Sequence, residues 1–197
     1  MQAEPIKRLD RRTFVHQVLD GAPDALVVTG LGSPSYDVFA AGDRDTNFYL
    51  WGAMGGAVPV GLGLALAQHK RSVVVVTGDG EMLMGIGSLA TAAVQAPPNL
   101  TIIVLDNGHY GETGMQPSHT SFGTNLSAIA AGAGIPKSYQ LDSLDRVPEL
   151  VDTIKSRTET VFCQVLIEAD EPPRALPSRD GAYLRERFRA SLGLKPF

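Results

Sequence analysis

A doubly wound parallel sheet flanked by helices (an α/β fold) is what this sequence predicts, and three observations carry that reading. The runs at 73–77, 101–105 and 161–167 are short, rich in β-branched residues and almost continuously apolar, as in strands covered on both faces. Helix-length segments separate them, and parallel pairing requires such crossovers. Glycine-rich turns follow two strand positions, Gly30-Leu31-Gly32 and Gly78-Asp79-Gly80, at the edge where open α/β sheets take their ligands.

The elements follow in order. Residues 6–19 read as a helix with Leu9, Phe14, Val15, Val18 and Leu19 apolar, stopped by Gly21. Residues 25–29 form a buried strand. Ser33 as N-cap with Pro34 at the first helical position starts the next helix. Residues 48–50 are a short strand leading through Trp51-Gly52-Ala53-Met54-Gly55-Gly56 into an apolar, small-residue helix that reaches Gln68. Gly61 and Gly63 lie inside it, and glycine there costs about 1 kcal/mol relative to Ala, so close approach of another backbone is the expected compensation. After the strand at 73–77, a helix runs from about Met82 to Val94 and ends before Pro97-Pro98. The strand at 101–105 opens into a long loop, residues 108–124, rich in Gly, Ser, Thr and His. Loops of that length without structure of their own are usually functional. Asn125 caps a small helix, residues 137–141 form a strand, and Asp142 or Ser143 begins a helix running to Arg157. Residues 161–167 are the last strand and 180–192 a final amphipathic helix. With no internal repeat or boundary, residues 1–197 are expected to form one domain.

Composition narrows the function. Hydrophobic residues make up 44% and charged residues 19%, enough for a large core. A formal net charge of −4 without a basic stripe argues against a nucleic-acid partner. The one cysteine, Cys163, sits in an apolar run and reads as a buried thiol. A single cysteine excludes an intrachain disulfide framework and an all-cysteine iron–sulfur site. Charges from Glu4 to Arg12 argue against a signal peptide, and no stretch has membrane length, so a cytoplasmic location is expected. His16 and His69 read as solvated.

The chemistry concentrates at two neighbouring strand ends. Gly78-Asp79-Gly80 closes one strand and Asn107 follows the next, so a carboxylate and a carboxamide stand side by side. With backbone carbonyls they form a hard oxygen set suited to Mg²⁺ and a diphosphate. A cation would also relieve the cost of an unpaired carboxylate at a buried strand end. Gly80 and Glu81 open the next helix, whose free N–H groups and dipole favour phosphate. Gly32 and Ser33 precede another helix and are either a second set of amide donors or a plain capped turn.

In combination, Gly78-Asp79-Gly80, Asn107 and Gly52-Ala53-Met54-Gly55 resemble the diphosphate-binding domain of thiamine diphosphate enzymes. The resemblance covers about residues 26–167, with a weaker echo in Ser178-Arg179-Asp180-Gly181. Within that family it is nearest the sulfopyruvate decarboxylase β subunit and phosphonopyruvate decarboxylase. It implies a thiamine diphosphate- and Mg²⁺-dependent lyase acting on a 2-oxo acid. The implied metal ligands are Asp79, the Asn107 side-chain oxygen and the His109 carbonyl. Many relatives have Asn-Asn where this chain has Asp106-Asn107. They often carry a small residue at the position of Glu81, whose side chain is expected to point away or serve as a capping carboxylate. By the same match, the Gly52 carbonyl accepts from the cofactor's 4′-amino group and the Met54 N–H donates to the pyrimidine. The Met54 side chain wedges between the two rings and brings the 4′-nitrogen to the thiazolium C2 proton. Read alone, without its neighbours, Met54 is more readily a core filler than a wedge. His109, Tyr110, Glu112 and His119 are candidate substrate contacts. His109 alternatively acts through its carbonyl alone, and Tyr110 alternatively packs on the cofactor. Lys137 and Arg179 are the cations available for a sulfonate or phosphonate. The Glu that activates the pyrimidine comes from a second domain for which this chain has no room. The resemblance therefore implies a separately encoded pyrimidine-binding subunit and an α₂β₂ or larger heteromer. Competing readings are a non-catalytic, cofactor-holding regulatory subunit and a 2-oxoacid:ferredoxin oxidoreductase β subunit, whose clusters one cysteine cannot supply.

Overall fold

Parallel pairing follows from the crossovers, because helices carry the chain back over the sheet between successive strands. The computed structural model describes residues 8–195. Its main strands are β1 (Leu26–Thr29), β2 (Asn47–Tyr49), β3 (Val73–Gly78) and β4 (Leu100–Asp106). A small antiparallel hairpin, β5 (His109–Tyr110) and β6 (Gln116–Pro117), precedes β7 (Lys137–Leu141) and β8 (Val161–Leu166). The six-stranded sheet runs β2-β1-β3-β4-β8-β7 with every pair parallel. Helices are α1 (Arg11–Gly21), α2 (Ser33–Ala40), α3 (Ala57–Ala67), α4 (Asp79–Met84), α5 (Ser88–Gln95), α6 (Leu126–Gly132), α7 (Val147–Ser156) and α8 (Gly181–Ser191).

Alternation along the strands divides the core between two faces. Val74, Val76, Ile103, Leu105, Cys163 and Val165 pack with α1, α2 and α7. Val73, Val75, Ile102, Val104 and Phe162 pack with α3, α4, α5 and α6. Helix α8 stands at the β2 edge and contributes Leu184 to one core and Phe188 to the other. The Phe188 ring meets Phe48 at a centroid distance of 5.5 Å. After β1 the chain turns to one face through α2, and after β3 to the other through α4. The crevice between the β1 and β3 ends is thus a topological switch point.

Several expectations shift. The first helix begins at Arg11, because Asp10 accepts from Thr13 N at 2.7 Å and caps it there. Leu9 is instead extended and bridges Ile167, while Ile6 and Lys7 lie outside the described residues. Gly32, not Ser33, is the N-cap of α2, since its φ of +77° is one a glycine takes freely. The helix expected over 82–94 is two, α4 and α5, broken at Gly85-Ile86-Gly87. The break brings Gly85 against Gly55: a Cβ on Gly85 would lie 2.4 Å from the Gly55 carbonyl oxygen. Gly61 is explained by a side chain rather than a backbone, because a Cβ there would meet Val75 Cγ2 at 2.1 Å, and Gly63 has open space. The loop at 108–124 carries the β5–β6 hairpin and two 3₁₀ turns, Gly111–Thr113 and His119–Phe122. A 3₁₀ turn, Leu144–Arg146, precedes α7.

Candidate active site

Strand β3 delivers Asp79 to the switch-point crevice as the first residue of α4. Its side chain is only 2% exposed. Oδ2 accepts from Ser118 Oγ in a short hydrogen bond and from Thr120 Oγ1 at 3.2 Å. Burial pushes the carboxyl up to about 6, and nearby Asp106 adds to the rise against the lowering effect of the Ser118 and Thr120 hydroxyls. Asp106, at the end of β4, is itself fully engaged. Its Oδ1 accepts from Thr120 Oγ1 at 2.7 Å and Gly108 N at 2.9 Å, and its Oδ2 from Gln164 Nε2 at 2.6 Å. The single Thr120 hydroxyl proton lies between the two carboxylates, closer to Asp106.

Asn107 is buried beside them. Its Oδ1 accepts from His109 N at 2.9 Å, and His109 Nδ1 lies 2.8 Å from the Asn107 carbonyl, which commits that ring nitrogen to the turn. Tyr110 lies against the glycine turn: a Cβ on Gly80 would meet its Cε1 at 2.4 Å. Gly80 is therefore needed for the aromatic ring to seat.

One cleft of about 140 Å³ is lined by Ser33, Met54, Gly78, Asp79, Gly80, Glu81, Asn107, His109, Tyr110 and Glu112. That is small beside the ~300–1,000 Å³ of pockets that enclose whole organic ligands. Gly32 borders the adjoining hollow with Tyr36, Trp51, Glu112 and Arg179. Gly52 and Ala53 are exposed next to it, with Gly52 at φ +73°. Met54 is 41% exposed, so it is no core filler in this chain.

The remaining candidates divide. Glu112 Oε2 pairs with Arg174 at 3.4 Å and accepts from Tyr36 Oη at 3.4 Å. Arg179 lies 5.4 Å from the Trp51 ring centroid. His119 is exposed and does not line the cleft, although its neighbours Ser118 and Thr120 reach Asp79. Lys137 is misplaced for substrate: it opens β7 opposite Val161, at the far edge of the sheet, and donates to Thr153 Oγ1 at 3.0 Å. Glu81 does not point away. It is 4% exposed, and its Oε2 accepts from Leu31 N at 3.0 Å and Thr77 Oγ1 at 2.9 Å. Burial raises its pKa, opposed by Thr77 and by the amides of Ala57, Leu31 and Gly55.

Sequence reading missed Ser118, Thr120, Gln164, Arg174 and Arg11, which lines the cleft in a 2.7 Å pair with buried Asp37. Gln164 could have been flagged as a polar residue at an inward strand position. The others lie in loops or at a helix start, where periodicity gives no signal.

A magnesium diphosphate fits these residues by donor chemistry. No group of three or more His, Cys, Asp or Glu side chains suited to a metal occurs among the described residues. An ion would therefore rest on Asp79 with neutral oxygens, as a phosphate-bound Mg²⁺ commonly does. Both side-chain hydrogen bonds to Asp79 fall on Oδ2, leaving Oδ1 without a side-chain donor.

Fold and crevice together define the class, a doubly wound α/β domain with its cleft at the topological switch point. Residues 36–165 match the family described as thiamine pyrophosphate enzyme, C-terminal TPP binding domain. The chain belongs to that family. It is 42% identical over 188 residues to the sulfopyruvate decarboxylase subunit beta of Methanothermobacter thermautotrophicus, covering 95% of each chain. It is 45% identical over 178 residues to the phosphonopyruvate decarboxylase of Streptomyces viridochromogenes, covering 88% of this chain and 43% of that one. The thiamine diphosphate-dependent 4-hydroxybenzoylformate decarboxylase of Rhodococcus jostii shares the fold, with a TM-score of 0.69 at 22% identity, over 86% of this chain and 34% of that chain. The chain thus spans nearly all of the beta-subunit relative and less than half of the other two.

Proposed function

We propose that this chain is the diphosphate- and Mg²⁺-binding subunit of a cytoplasmic thiamine diphosphate-dependent 2-oxo acid decarboxylase, built as one domain over residues 1–197. The observation that carries the reading is the convergence of Asp79, Asn107 and Met54 on one cleft at the switch point. Asp79, the Asn107 side-chain oxygen and the His109 carbonyl would hold the Mg²⁺. The Gly80 and Ser33 turns would offer amides to the diphosphate, and Met54 with the Gly52 carbonyl would orient the pyrimidine. When bound, thiamine diphosphate supplies the electron sink that lets CO₂ leave. Tyr110 and Glu112 line the cleft beside it. Arg179 and Arg174 are the cations at the mouth that would meet an acidic substrate tail.

The cleft is half a site, and a separately encoded partner would close it and bring the activating Glu in an α₂β₂ or larger assembly. The test is exchange of the thiazolium C2 proton, followed by NMR in Mg²⁺ and thiamine diphosphate. Exchange should be negligible with the purified chain and rise by orders of magnitude with the co-purified partner, together with decarboxylation of a 2-oxo acid. Fast exchange by the chain alone removes the half-site reading. A complex that binds cofactor without turnover would make this a regulatory subunit instead.

A further inference from the structure

We infer that Glu81 is a positioning residue: its buried carboxylate clamps the two turns, Leu31–Ser33 and Met54–Ala57, that border the cofactor cleft. The inference rests on the functional reading above only for what the cleft holds; the clamp itself is a matter of geometry. Glu81 follows Asp79 in the first turn of α4, yet its side chain serves two other helices. Helix α2 starts at N-cap Gly32 and α3 at N-cap Gly56, and neither has a side-chain cap of its own. The Glu81 carboxylate stands at both starts. Oε2 takes Leu31 N, one residue before the α2 cap, and Thr77 Oγ1 from the end of β3. Oε1 is buried and makes no hydrogen bond, while the amides of Gly55 and Ala57, on either side of the α3 cap, are near enough to lower the carboxyl's pKa.

A negative charge between two uncapped helix N-termini is favoured by both dipoles, and a neutral side chain of the same shape is not. The room for it is built in. A Cβ on Gly30 would lie 1.6 Å from Glu81 Oε2, so only glycine admits the carboxylate there. Met54 is bonded directly to Gly55, and Ser33 is two residues from Leu31. Glu81 therefore fixes the distance between the ring-holding turn and the diphosphate-holding turn without touching the cofactor's reacting atoms.

The discriminating variants are Glu81→Gln, which keeps the volume and loses the charge, and Glu81→Asp, which keeps the charge and loses a methylene. Amide exchange at Leu31, Gly55 and Ala57 is measured in the cofactor-free chain, and cofactor dissociation constant and kcat in the assembled complex. Glu81→Gln should raise exchange at Gly55 and Ala57 at least tenfold at a nearly unchanged Tm. In the complex it should weaken thiamine diphosphate binding tenfold or more and lower kcat at saturating cofactor. Glu81→Asp should retain more of each property than Glu81→Gln, despite being smaller. Thr77→Val, which removes one donor at constant shape, should raise exchange at Leu31 by a smaller factor, and it carries the test if Glu81→Gln does not fold. Wild-type exchange in Glu81→Gln, or in Thr77→Val standing in for it, overturns the clamp, as does the packing order with Gln ahead of Asp. If the wild-type complex binds no thiamine diphosphate, the functional reading fails while the exchange data still decide the clamp.

Discussion

Asp79 sits where a carboxylate is least comfortable, buried, close to Asp106 and dependent on the hydroxyls of Ser118 and Thr120. A divalent cation would turn that discomfort into affinity. Asp79→Ala or Asn107→Leu should abolish Mg²⁺-dependent thiamine diphosphate binding in the assembled complex while the chain stays folded. Wild-type affinity by calorimetry in either variant removes the metal assignment. Met54→Ala should cost more in kcat than in cofactor affinity, since the side chain sets ring geometry while the diphosphate supplies the anchoring; an unchanged kcat at saturating cofactor removes the wedge. Cys163 gives a prediction independent of cofactor. Burial pushes its thiol up to about 12, so at pH 8 on the order of one in ten thousand is thiolate. Disulfide reagents should leave it unlabelled until denaturant is added. Its folded pKa lies above the unfolded value, so the folded state holds the proton more tightly. Stability from this group is intact below about pH 9 and falls as pH rises toward 12. Cys163→Ala should flatten that slope in alkaline denaturation curves, and an unchanged slope would assign it to other groups.

Element boundaries show what periodicity can and cannot see. The central strands β1, β3, β4 and β8 were readable because burial on both faces leaves continuous apolar runs, and the Gly78-Asp79-Gly80 and Asn107 pairing was readable because it sits at the ends of two of them. The break between α4 and α5 was not. Residues 82–94 keep a helical apolar pattern, and what interrupts it is the approach of Gly85 to Gly55, a contact between segments far apart in sequence. Of the two readings of Glu81, pointing away and capping, the structure rules out the first; its bond to Thr77 is local, but its partner Leu31 is brought to it only by the fold. Ser118 and Thr120 likewise gain their role from a loop folding back over β3. Gly85→Ala should therefore cost about 1–3 kcal/mol through overpacking, lowering Tm by roughly 2–4 °C per kcal/mol for a chain of this size. It should also weaken cofactor binding by displacing the Met54 turn. A wild-type Tm in differential scanning calorimetry would mean that the two glycines do not touch.

At the scale of the molecule, the cleft opens toward a surface that carries Met54 and Met84, 41% and 64% exposed. Exposed large apolar side chains beside an incomplete site mark an interface when they are contiguous. Hydrogen exchange across residues 54–63 and at Met84 should slow when the partner subunit binds; protection confined to another face would relocate the interface. No described helix is long and apolar enough to cross a membrane. The segment 168–180 has a further consequence. It leaves β8, passes over the sheet's ligand edge, and reaches α8 at the opposite side, beside β2. On the way Arg174 pairs with Glu112, and the Ser178 carbonyl accepts from Trp51 Nε1 at 2.8 Å. The rim of the cleft is thus completed by residues that follow the last strand of the sheet. A chain cut before residue 168 would keep every strand of the sheet and lose this rim. Phe48 would then lack Phe188, and the β2 edge would lose the helix that packs on it.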